Sequence, residues 1–211
     1  MAQLSWVRRI IVGLFVVIIW DISNSNAYAA YPSEYELKAI FVLNFARFNT
    51  WPQSVLPSDN TPLIVGVLGA DPFGDALTSA FQGEQVAGHT LEIRHFTRRD
   101  NYKNCHLLFI SRSEAAHLSQ IFSALSGSHV LTVSDIDQFV YKDGMIGMLM
   151  EQNRVKVEVN YEQTRREGLE LSAKLLKVSF VLRKGLHSMI STFTQAFWRG
   201  ERLPTVACTI K

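Results

Sequence analysis

The chain has 211 residues, 47% of them hydrophobic, with 21 basic and 19 acidic side chains and a net charge of +2. That balance provides no basic surface for nucleic acid or an anionic membrane, and the length suits one well-buried domain rather than two. The two cysteines, Cys105 and Cys208, allow one disulfide at most, and composition leaves open whether they form it.

The first 30 residues are laid out as a secretory signal: Arg8 and Arg9, an apolar run Ile10–Trp20, then a polar stretch ending Ala27-Tyr28-Ala29. The run is about half of the ~20 residues that a spanning helix needs, so the reading is a signal peptide over 1–29, cleaved after Ala29. Export would remove two arginines and one aspartate and leave a nearly neutral, soluble periplasmic domain over 30–184, followed by a C-terminal extension over 185–211.

Ser33-Glu34-Tyr35-Glu36 has the form of a capping box and predicts a helix start. Leu37, Ile40, Phe41, Phe45 and Phe48 recur at helical spacing as its apolar face, and Trp51-Pro52 ends it. After a Pro/Asp/Asn loop, Leu63–Leu68 reads as a strand covered on both faces. Asp71 as cap and Pro72 at the first helical position predict a helix over 73–81. Leu91–Phe96, Leu107–Ile110 and Val130–Val133 read as strands, with a helix over 113–125 before the last.

Met145–Glu151 and Arg154–Asn160 flank Gln152-Asn153 as a tight hairpin, expected to form an antiparallel edge. Val155, Val157 and Val159 should face the core, leaving Arg154, Lys156, Glu158 and Asn160 exposed. A helix is expected over 172–182. In the extension, Met189, Ile190, Phe193 and Phe197 fit one side of a helix over 186–198. The fold class is therefore α/β: a single domain with a mostly parallel sheet, flanking helices and a C-terminal antiparallel hairpin.

Catalytic patterns are missing. There is no Gly-x-Ser-x-Gly elbow, no Gly-rich phosphate loop and no His-Glu-x-x-His helix, and the six histidines lack metal-site spacing. The expectation is no enzyme, no metal and no cofactor. Asp135, after a predicted strand, and Asp71, in the Gly69–Gly74 turn, are candidates for a ligand pocket at strand ends. The alternative for Ser134 and Asp135 is capping of a short helix toward Phe139. A hydrolase would need residues such as His95, Ser111 and Asp135 to converge.

Tyr35-Glu36-Leu37-Lys38-Ala39-Ile40-Phe41-Val42-Leu43-Asn44-Phe45-Ala46-Arg47-Phe48 with Trp51-Pro52 resembles the opening motif of the YfiR/HmsC-like family. Ile110-Ser111-Arg112-Ser113, Leu131-Thr132-Val133-Ser134-Asp135, Gly144-Met145-Ile146-Gly147, Val157-Glu158-Val159-Asn160 and Gly168-Leu169 through Lys174-Leu175-Leu176 follow in that family's order. The resemblance covers about residues 34–182. It implies a periplasmic repressor that binds the sensor domain of a membrane-bound diguanylate cyclase, or a similar membrane sensor, and lowers cyclic di-GMP.

The resemblance also implies a partner surface on the hairpin and the segment after it, especially at Ile146 and Glu158; the residues themselves add Met148, in a strand apolar on both faces, and Arg165, an adjacent charge that could set orientation. The chain departs from the family pattern at its cysteines: Gly66 stands where the bridge partner of Cys105 would be, and Val140 and Gly147 where a second bridge would be. A homodimer is a further expectation. The alternative function is a periplasmic small-ligand module that reports to a membrane receptor.

Overall fold

The structure, a computed structural model, describes residues 32–57, 61–152 and 154–182. The expected signal peptide, the extension with its suggested helix, and Cys208 lie outside these residues. Among the described residues no helix is long and apolar enough to cross a membrane.

Helix α1, Glu34–Arg47, starts at the capping box: Ser33 Oγ accepts from Glu36 N at 3.3 Å, and Glu36 Oε2 accepts from Ser33 N at 2.6 Å. Its inward face differs from the one read in the periodicity. Lys38, Ala39, Val42, Leu43, Phe45 and Ala46 are buried, whereas Ile40 is 47% exposed and Leu37, Phe41 and Phe48 are half-buried. The helix is apolar nearly all round, so the period establishes that it exists but hardly fixes its rotation. Strand β1, Asn49–Thr50, then pairs antiparallel with β9, Glu170–Leu171.

The main sheet is built from β2 (Leu63–Leu68), β3 (Gln85–Val86), β4 (His89–Phe96), β5 (Leu107–Ile110), β6 (Leu131–Ser134), β7 (Ile146–Glu151), β8 (Arg154–Asn160) and β10 (Phe180–Leu182). Their spatial order is β10-β8-β7-β6-β5-β2-β4-β3. β4, β2, β5, β6 and β7 run parallel; β8 is antiparallel to β7, and β3 to β4. The expected mixed α/β class is what the chain adopts. β3 was not visible in the sequence; it turns into β4 through Ala87 and Gly88, both at positive φ, which suits a two-residue hairpin.

Three element expectations need correction. The helix expected over 73–81 is shorter, α2 (Ala76–Phe81), and Asp71 does not cap it: Asp71 Oδ1 accepts from Phe73 N at 2.8 Å and closes a local turn instead. The helix expected over 113–125 is a 3-10 turn, Arg112–His117, continued by α3, Leu118–Leu125. The helix expected over 172–182 is the short α5, Ala173–Val178; the Phe180-Val181-Leu182 run is β10, parallel to β8 with Phe180 beside Glu158. The hairpin is therefore inside the sheet, and β10 forms that edge.

Each sheet face has its own core. Val42, Phe45, Phe73 and Leu77 pack on Val65, Val67, Phe109 and Val133 on one side. Leu118, Ile121 and Leu125 of α3 pack on Leu68, Leu108 and Ile110 on the other. Burial of each such side chain contributes about 1.5–3 kcal/mol. Gly66 lies in β2 where a Cβ would come within 2.7 Å of the Phe96 ring and 2.8 Å of Leu108, so a larger residue there would displace this second core.

Candidate functional surface

In a paired sheet, residues opposite each other share a face. Gly147 opposes Glu158 and Leu149 opposes Lys156 across the β7–β8 hairpin, and Phe180 lies beside Glu158 on the other side. Gly147, Leu149, Lys156, Glu158 and Phe180 therefore form one face. Phe180 is 54% exposed, an unusual setting for a large aromatic side chain.

Glu158, expected on the open face of its strand, is only 7% exposed. Alternation along the strand puts it on that face, where its side chain lies over Gly147, with Oε2 3.9 Å from where a Gly147 Cβ would be. Its Oε1 lies 3.7 Å from Lys156 Nζ, which also binds Glu151 Oε1 at 2.7 Å. The hydrogen bond to Glu151 comes first among the causes that hold the Lys156 ammonium above its ordinary range, and Glu158 adds to it. Ile146 and Met148 are fully buried on the opposite face, among the core residues, so they hold the hairpin in place and offer no outer surface. Arg165 is exposed on helix α4, Tyr161–Arg166.

The carboxyl ends of the parallel strands carry a second set of polar groups. Asp135, just past β6, is 1% exposed. Its Oδ2 accepts from Lys38 Nζ at 2.7 Å and from Tyr35 OH at 2.9 Å, with Arg112 Nε at 3.3 Å. Lys38 also pairs with Glu34 one turn earlier, and its ammonium sits 4.6 Å from the centre of the Tyr35 ring. The expected pocket at Asp135 is thus closed by the chain's own side chains. Nor does Asp135 cap a helix: the next turn, Phe139–Lys142, follows Gln138, and Ser134 Oγ accepts from Ile136 N at 3.0 Å.

Burial first, and then the hydrogen bond to Asp135, push the Tyr35 phenol up to about 12 from an ordinary value near 10. The unfolded chain releases this proton near pH 10 while the folded chain keeps it to about pH 12, so stability falls as pH rises across that window. Unfolding titrations should show a steeper loss between pH 10 and 12 for wild type than for Tyr35→Phe.

Asp71 belongs to a different cluster, paired with His95 Nε2 at 3.0 Å. Beside it lies the crevice where the strand order reverses, between β2 and β5, the usual ligand position in open α/β sheets. Here that crevice is filled. Ser113 Oγ accepts from Ala70 N at 3.0 Å, and a Cβ on Gly69 would strike both Ser113 and Glu114. Ser111 accepts from Ser113 N at 3.4 Å and is buried, so His95, Ser111 and Asp135, the three residues a hydrolase would need, have separate partners. Among the described residues no three His, Cys, Asp or Glu side chains converge as metal ligands.

Cys105 is buried with its thiol donating to Tyr102 O at 3.1 Å, and burial pushes it up to about 12. The other cysteine, Cys208, lies outside the described residues. Val140 Cγ1 is 3.6 Å from where a Gly147 Cβ would be, so those two positions are neighbours without a bridge.

The model of YfiR/HmsC-like proteins matches residues 35–179, more than half of the chain. The chain belongs to the YfiR/HmsC-like family. No curated protein matches it. Three of the segments that carry the family resemblance meet at one point: the opening motif supplies Tyr35 and Lys38, the segment after β5 supplies Arg112, and the segment after β6 supplies Asp135. Sequence reasoning marked Asp135 but missed its partners. Lys38 appeared only inside the opening motif, and its one signal was a place on the helix face between Val42 and Phe45, both buried.

Proposed function

We propose that this chain is a periplasmic regulatory protein that binds and represses the sensor domain of a membrane-bound diguanylate cyclase, lowering cyclic di-GMP signalling. Membership of the YfiR/HmsC-like family over residues 35–179 carries this reading. The signal-like first 29 residues agree with export. Repression is by binding, without catalysis and without a cofactor. The ion cluster at Asp135 and the filled crevice at Gly69 act as scaffold, and the face with Phe180, Lys156 and Glu158 meets the partner. An exposed aromatic beside paired charges is the composition of an interface anchor with an orienting rim.

The test is cellular cyclic di-GMP in a strain that lacks the gene. A rise on deletion, reversed by the wild-type chain, is the expected result. An unchanged level would overturn repression and bring forward the reading as a small-ligand module.

A further inference from the structure

One row of residues crosses the sheet from a covered end to a bare one. Ile110, Ser134, Gly147, Glu158 and Phe180 lie abreast on β5, β6, β7, β8 and β10 and share one face. At Ile110 that face is roofed by α3, but the core that α3 builds takes no residue from β7, β8 or β10. The turn Phe139–Lys142 lies over part of those strands: Val140 Cγ1 sits 3.6 Å from where a Gly147 Cβ would be, and Val140 O accepts from Asn160 Nδ2 at 3.1 Å. Phe180 at the end of the row is 54% exposed, and Tyr141 of the turn 43%. Leu149 and Leu182, on the same face by alternation, are half-buried.

The chain leaves the sheet at this bare corner. β10 ends at Leu182, beside Asn160, and residues 183–211 follow it. Arg183-Lys184-Gly185 is a connection of ordinary length before the helix that the sequence suggests over 186–198. At about 1.5 Å per residue that helix spans about 20 Å, close to the roughly 23 Å of the seven residues of β8. Turned back along β8, it can set Met189, Ile190, Phe193 and Phe197 against Leu149, Phe180 and Leu182. Helices that lie on lipid are cationic on their polar side, whereas Leu186–Trp198 holds no lysine or arginine. The composition therefore favours the protein's own sheet over a membrane surface.

We propose that residues 186–198 form a helix that lies along β8 and β10 and roofs Phe180 in the partner-free protein, with Phe193 and Phe197 packed on it. The sheet gains the layer that this corner lacks, and the open apolar side chains leave water. The consequence for signalling rests on the repressor reading: tail and cyclase compete for one face. The partner's apparent affinity is then weakened by the factor by which the closed tail outweighs the open one.

Hydrogen exchange of the purified full chain tests the docking. A free helix of this length is marginal in water, so protection of the amides over 186–198 reports packing. Wild type should show these amides slowed about tenfold or more against the same sequence as a free peptide, independent of protein concentration. Phe193→Asp combined with Phe197→Asp should return them to the free-peptide rate, and so should Phe180→Asp, which lies outside the segment. Free-peptide rates in wild type would overturn the proposal. So would protection that ignores Phe180→Asp, that grows with protein concentration as docking on a second copy would, or that arises only with phosphatidylglycerol vesicles. Cellular cyclic di-GMP separates the docking from the repressor reading. The variant at Phe193 and Phe197 frees the tail while Phe180 stays intact, and it should bring cyclic di-GMP below the wild-type level. A freed tail without that fall supports the docking and overturns competition with the cyclase.

Discussion

Replacing Asp135 with alanine should lower the unfolding free energy by about 3–5 kcal/mol, the usual cost of breaking a buried ion pair from one side. Lys38 is fully buried and would keep only Glu34, whose side chain is 40% exposed at the rim. Tyr35 would lose its acceptor and Arg112 its carboxylate partner in the same step. For a domain of this size the loss corresponds to a fall of about 10 °C in Tm. Urea unfolding should show a lower midpoint at unchanged slope, which separates a stability change from a change in compactness. Lys38→Met combined with Asp135→Ala should cost clearly less than the sum of the two single changes, by about 1–3 kcal/mol, because the second change no longer strands a charge. Additive losses would show that the two groups are not coupled.

Phe180→Asp should raise cellular cyclic di-GMP to the level of the deletion strain while the protein accumulates normally. Phe180 is an exposed side chain on a short edge strand, so its replacement should change stability by about 1 kcal/mol or less. As an interface anchor it would be worth about 2 kcal/mol or more, a loss in affinity of roughly 30-fold. The placement of Glu158 explains why Phe180 is the better probe. A Glu158→Lys chain would put a second ammonium beside Lys156 in a nearly closed position, so lost function could mean lost folding. Full repression by Phe180→Asp, exported at wild-type level, would move the partner surface away from this face.

The central strands were legible because each is a short, continuously apolar run, the mark of a strand covered on both sides, and the hairpin because an apolar run and an alternating one flank a two-residue turn. Rotation and order of elements were not. Helix α1 has apolar residues on every side, so periodicity favoured Ile40 where the sheet receives Lys38 and Ala39. β10 is three residues long and follows a helical pattern without a break, too short to register as a strand on its own; it exists because β8 offers it an edge. The site residues divide in the same way: Asp135 could be suspected from its place after a strand, but Tyr35, Lys38 and Arg112 join it only through the tertiary fold, across sequence separations that no local pattern encodes.

The pairing of β1 with β9 sets the timetable on which the domain can be completed. Asn49 faces Leu171, and Ser172 N donates to Phe48 O at 2.8 Å, so the end of the first helix is stitched to one of the last described segments. A chain made from its N-terminus exposes the apolar sides of α1 long before either partner exists. Val42 and Phe45 can find Val65, Val67, Phe109 and Val133 before then, but the end of α1 stays unfastened until residue 172 has emerged.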